Sequence, residues 1–274
     1  MNNKSSHIGP WLVSTVTSPD LESTEKSYID FLNYKVIEKE KITREQALSW
    51  NAYKNIGSKY SILIPESNEN FFLRIIECPQ PEEYRPLNSY GWVASELVVK
   101  DTDALENVFN NSPFEIIGLP ADLDMMPDIR AMQVIGYAKE VFYLTMFKKE
   151  IAVFDLPKAK SSIDKMFIAV LASDDIAKVQ QWYNKNFNIP INPITKTKIN
   201  VLDTAFGLPE NSTDYNLGVV PLQGKSYIEV DAYPKEAIKR PKLEGYLPPG
   251  NSIMSLLINS IDELDLPTIT NEPF

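Results

Sequence analysis

An apolar strand that runs into an acidic turn and then an amphipathic helix occurs more than once in this chain of 274 residues. An internal repeat limits the available folds more than any single element does. The first copy reads WLVSTVTSPDLESTEKSYIDFLNYKVIEKEKI from Trp11. Its run from Trp11 to Val16 predicts a strand. Pro19 suits a first helical position, so the helix is expected to begin near Ser18, with Leu21, Tyr28, Phe31 and Leu32 as its buried stripe. The clearest second copy is KMFIAVLASDDIAKVQQWYNKNFNI from Lys165, where Ile176, Val179 and Tyr183 recur at helical spacing. Asp20 precedes Tyr28, and Asp175 precedes Tyr183, by the same eight residues.

Both copies continue alike, with an apolar strand (YSILIP, then YNLGVVPL) and a further strand closing on proline (FFLRIIECP, then YIEVDAYP). Each is a βαβββ unit. Between them, GWVASELVVKDTDALENVF supplies a strand and helix, and IRAMQVIGYAKEVFYLTMF two strands joined across GYAKE, which makes a second unit. A fourth begins at SIMSLLINSIDELD, where Pro267 interrupts the helix and the sequence stops at Phe274 before a matching hairpin. The expectation is an α+β chain of tandem βαβββ units forming curved mixed sheets around a cup, in two similar halves, the second shortened. Residues 1–154 would hold the N-terminal pair of units, DLPKAKSS at 155–162 the linker, and 163–274 the third unit with an incomplete fourth.

A formal charge of −10 leaves no basic surplus for phosphates, which argues against nucleic acid and anionic membrane surfaces as partners. No apolar run approaches the roughly 20 residues that span a bilayer, and MNNKSSH lacks a signal peptide's apolar core, so a soluble cytoplasmic protein is expected. Cys78 is the only cysteine and follows an apolar strand, where a thiol packs as a small apolar group. His7 is the only histidine and lies in a polar tail, which removes any mechanism built on paired histidines.

DLESTEKSYIDFLNYKV and DDIAKVQQWYNKNFNI resemble the recurrent turn and helix of the vicinal oxygen chelate superfamily, which includes glyoxalases, bleomycin-resistance proteins and extradiol dioxygenases. The resemblance implies that two units pair into a curved sheet around a cup. In the family a histidine on each first strand and carboxylates on the last strands commonly hold a divalent metal. Carried onto this sequence, the first-strand positions fall on Val13, Ala94, Ile168 and Ile253, and the last-strand positions on Arg74, Tyr143 and Glu229. Only Glu229 is a metal-binding type, so neither a bound metal nor another cofactor is expected.

Strand side chains alternate faces, which places Thr15, Phe72, Arg74, Glu96, Tyr143 and Thr145 on the cup side of the N-terminal half, with Trp11 and Trp92 at its rim. In DLDMMPDIR, Met125 and Met126 suit a lid. Asp122, Asp124 and Asp128 superficially suggest calcium, but the glycine and closing glutamate of that loop type are missing. Glu96 would be a general base, Tyr143 an acid or oxyanion donor, and Arg74 an anchor for a carbonyl or carboxylate. The competing reading has Arg74 and Glu96 satisfying each other as a buried ion pair while Tyr143 packs. A second candidate site is Tyr227, Glu229 and Asp231 on one face of YIEVDAY, with carboxylates roughly 7 Å apart. A solvated strand face is the bland alternative.

Two functions fit these residues. One is a metal-independent isomerase, lyase or related proton-transfer enzyme acting on a hydrophobic carbonyl-containing small molecule. The other is a bleomycin-resistance-like binding protein without catalysis, for which acidic charge suits a cationic ligand. A third role is structural, with the shortened half pairing its open sheet edge with another copy in a homodimer.

Overall fold

The same pair of caps delimits both repeat helices. The Asp20 side chain accepts a hydrogen bond from the Ser23 N–H, and Asp175 accepts one from Lys178, each satisfying a donor that the helix start leaves unpaired. Asn33 and Asn188 end the helices in left-handed conformation, at φ 57° and 54°. The helix thus begins at Leu21, with Pro19 outside it, because the carboxylate of Asp20 rather than the proline ring sets the start.

The computed structural model describes residues 8–124, 126–151 and 155–259. The first unit comprises β1 (Ile8–Ser18), α1 (Leu21–Leu32), β2 (Tyr34–Lys41), a short α2 (Arg44–Ser49), β3 (Lys59–Pro65) and β4 (Phe72–Glu77). In the second are β5 (Gly91–Val99), α3 (Thr102–Phe109), β6 (Glu115–Leu123), β7 (Met126–Ile135) and β8 (Val141–Phe147). The third has β9 (Ile163–Ser173), α4 (Ile176–Phe187), β10 (Thr195–Thr197), α5 (Asn200–Ala205), β11 (Tyr215–Leu222) and β12 (Ser226–Ala232). Of the fourth unit, β13 (Gly250–Ile258) is described; the helix expected after it, with Pro267, lies outside the described residues.

These strands form two mixed sheets, ordered β13-β1-β4-β3-β2 and β10-β11-β12-β9-β5-β8-β7-β6. Here the sequence-based pairing needs correction. β1 runs antiparallel to β13, and β5 antiparallel to β9, so unit one pairs with unit four and unit two with unit three. Residues 155–162 therefore connect strands of one sheet instead of separating two paired halves. The physical reason is that alternation fixes which face of a strand is buried but not which repeat lies beside it.

The convex faces of the sheets share the main core with α1, α3 and α4. Tyr28 of α1 meets Phe142 edge-on at 5.6 Å, and Phe109 meets Phe114 at 5.1 Å. Burying each such ring contributes roughly 1.5–3 kcal/mol. Between the sheets, the Ser14 and Ser95 hydroxyls hydrogen-bond at 2.8 Å. The concave face of the five-stranded sheet is filled by Ile42, Ala47, Tyr60 and Ile76 of its first unit and by Leu247 ahead of β13, with Trp50 following α2. The eight-stranded sheet is plugged only partly, by α5 through Val201 and Leu202 against Val170 and Tyr215.

Candidate functional site

The part of the eight-stranded cup not covered by α5 is a cavity of about 180 Å³. Its floor comes from four neighbouring strands: Glu96 on β5, Thr145 and Phe147 on β8, Ile168 on β9, and Tyr227 and Glu229 on β12. Leu123 and Met126 from the β6–β7 tip, with Phe167, Leu217 and Val219, make apolar walls. Leu156 of the connecting segment closes one side.

An approximate two-fold axis passes between β5 and β9, where Glu96 lies opposite Ile168. Two residues beyond each, Val98 pairs with Thr145 and Val170 with Glu229. Glu96 and Ile168 are therefore equivalent positions, as are Thr145 and Glu229. The first-strand position in unit two is thus Glu96, two residues later than the expected Ala94.

Glu96 is 8% exposed and accepts a hydrogen bond from the Thr145 hydroxyl at 2.6 Å. Burial pushes its carboxyl up to about 7, against the opposing pull of that bond. Burial holds Glu229 well above the ordinary carboxylate range, and the neighbouring Asp231 and Glu96 push it the same way. Asp231 is fully buried, neither of its oxygens has a hydrogen-bond partner among the described residues, and burial together with Glu96 raises it to about 7. The hydroxyls of Tyr143 and Tyr233 are likewise buried and unpartnered. Burial, with Tyr233 and Asp231 nearby, pushes the Tyr143 phenol well up. Among the described residues lining the cavity there is no lysine or arginine.

The two sites expected from sequence are one. Glu96, Tyr143 and Thr145 share a concave face with Tyr227, Glu229 and Asp231 because unit two pairs with unit three. Arg74, Thr15 and Phe72 are not there; they belong to the five-stranded sheet. Arg74 donates from Nε and Nη2 to the Thr15 hydroxyl at 3.0 and 2.9 Å, and its guanidinium lies 4.7 Å from the Trp50 ring centre. Burial lowers it to about 10. Arg74 therefore lies outside the cup that holds Glu96, and the two do not form an ion pair.

Trp11 is 2% exposed, donates its indole N–H to the Tyr227 carbonyl at 2.9 Å, and meets Trp92 edge-on at 5.8 Å. Both tryptophans lie at the sheet junction and not at a rim. Met126 reaches the cavity; Met125 is outside the described residues, as is His7. Asp122 is held by Arg130 at 3.0 Å and Lys148 at 2.6 Å, and Asp128 by Lys149 at 2.9 Å. Cys78 is buried, which pushes its thiol up. Tyr233 is not among the residues expected from sequence, although the alternation Tyr227, Glu229, Asp231 points straight to it.

No protein-family model matches the chain, and no curated protein sequence does. Among solved structures, the V278E mutant of glyoxalase I from Zea mays is similar with a TM-score of 0.59 at 13% identity, over 94% of this chain and 77% of that one. Wild-type maize glyoxalase I gives 0.58 at 12%, over 92% and 75%. A candidate dioxygenase from Bacillus subtilis gives 0.55 at 8%, over 95% and 73%. The chain has the vicinal-oxygen-chelate fold.

That fold implies a divalent metal on the four positions related by the two-fold axis, and the residues here do not fit one. Glu96 and Glu229 offer carboxylates, but Thr145 donates its proton to Glu96, and Ile168 has no ligating atom. Catalytic zinc or iron takes three or more protein ligands, and among the described residues no group of three His, Cys, Asp or Glu side chains is placed to share one ion.

Proposed function

We propose that the eight-stranded cup is the active site of a proton-transfer enzyme, of isomerase or lyase type, that acts on a compact hydrophobic carbonyl compound through its own carboxyl groups. One observation carries this reading: Glu96 and Glu229 face the same apolar cavity, and burial raises both carboxyls above their ordinary range. Two raised carboxyls facing one cavity suit a division of base and acid roles.

Ionised Glu96 takes a proton from the carbon next to the carbonyl, and the C–H pair moves into the forming enolate. Protonated Glu229 donates to the oxygen where negative charge develops, the role that Arg74 cannot fill from the other sheet. Return of the proton at another carbon gives isomerisation; departure of a leaving group from the β-carbon gives elimination. Thr145 holds the Glu96 carboxyl in place. The cavity, about 180 Å³, is below the roughly 300–1,000 Å³ of common ligand pockets, which favours a small substrate.

Hydrogen–deuterium exchange at the α-carbon of a panel of aryl and alkyl ketones, followed by NMR in D2O, tests the assignment. Glu96→Gln is expected to lower the exchange rate by about 100-fold or more with an unchanged circular dichroism spectrum. Undiminished exchange in that variant would remove Glu96 from the chemistry. The cation-free acidic lining also favours a second reading, a binding protein that sequesters a cationic small molecule. Saturable binding without exchange in any bound ketone would select it.

A further inference from the structure

We infer that the molecule bound in the cup carries a cationic amine as well as its apolar body, the ammonium sitting against Glu96 and Glu229 with Asp231 behind them. This rests on the reading of the cup as the binding site. Glu96 and Glu229 line the cavity, the buried Asp231 lies two residues beyond Glu229 on the same strand face, and the lining supplies no positive charge. The buried guanidinium of Arg240 is already committed: it donates to the Ser89 hydroxyl and to the Asn251 and Trp92 carbonyls. Buried carboxyls without a counter-ion are costly to ionise, and a cation brought by a ligand removes that cost.

A second observation points the same way. The Tyr143 hydroxyl is buried, has no partner among the described residues, and lies within the field of Asp231, Glu229 and Glu96. Tyr143 packs with Tyr233 in the cluster under α5 beside the cavity, so this oxygen adds acceptor capacity next to the carboxyls. A metal ion needs its ligands at about 2.0–2.6 Å from one point, a convergence these carboxyls do not provide. An alkylammonium tolerates wider spacing, since its three N–H bonds reach oxygens at about 2.7–2.9 Å and its field reaches further.

β-Aminopropiophenone and butyrophenone differ only in an ammonium in place of a methyl group, and both are small aryl ketones. Their dissociation constants, measured on the full chain by NMR titration, test the inference. The amine is expected to bind about tenfold tighter or more. Asp231→Asn should shrink the ratio to within about threefold while butyrophenone binds as before. Equal affinity of the two ketones for the wild-type protein would overturn the amine and leave the cup as a binding site. An undiminished ratio in Asp231→Asn would overturn the role of the acidic face. Binding of neither ketone would overturn both the amine and the cup.

Discussion

Asp231 and Arg74 illustrate how far a single residue can be read from sequence. Period-two alternation correctly puts Glu229 and Asp231 on one strand face, and likewise Thr15 with Arg74 through their paired strands. It cannot tell that Arg74 and Glu96 belong to different sheets, since both patterns are the same in either arrangement. The protonation of Asp231 is also beyond sequence, because it follows from complete burial beside Glu96. Its carboxyl, raised from 3.8 to about 7, gives stability that is fully present below about 3.8 and lost as pH rises through about 7. Asp231→Asn removes the ionisation, so relative to the wild type it should gain a few kcal/mol between pH 4 and pH 8, since each tenfold change in proton affinity is worth about 1.4 kcal/mol. Urea midpoints at the two pH values measure this; an equal difference at both would refute it.

At the scale of elements, β5, β9, β12 and β13 and the two repeat helices are legible because each combines strong periodicity with a turn signal. β6 is not, since Gly118 and Pro120 interrupt its pattern; an edge strand tolerates them. α2 is missing from the expected elements although Thr43 and Gln46 form a capping box, a signal readable from their spacing alone. That element matters, because the chain after α2 sets Trp50 over Arg74 and fills the five-stranded cup. Replacing Asp20 or Asp175 by alanine removes equivalent caps, and each should lower Tm by a few degrees. The β7–β8 hairpin is fastened differently. Glu140 accepts from the Tyr28 hydroxyl at 2.8 Å and the Ala138 N–H at 2.9 Å, and a Cβ on Gly136 would lie 1.9 Å from Glu140 Oε1. Gly136→Ala must expel that buried carboxyl and should cost about 2 kcal/mol or more in chemical denaturation.

For the whole molecule, repetition in the sequence reveals the units and their fold, while the order in which they pair needs the structure. Like units compete for the same edge, and the chosen pairing ties each end of the chain to its opposite. β1 lies beside β13 and β5 beside β9, so residues 1–154 and 163–274 expressed separately should each lack a sheet partner. Neither piece alone should show a cooperative thermal transition, whereas the two co-expressed should purify together. Independent folding of either piece would contradict the interleaved sheets.

The same pairing creates the acidic cup, and the protonation of its floor can be measured without knowing the substrate. Carbon-13 NMR of the protein labelled at glutamate Cδ, with Glu96→Gln and Glu229→Gln as assignments, gives both midpoints. The expected values are about 7 for Glu96 and well above the ordinary 4.5 for Glu229. Midpoints for both near the ordinary 4.5 would show two solvated carboxylates and contradict an acid–base pair in this cup.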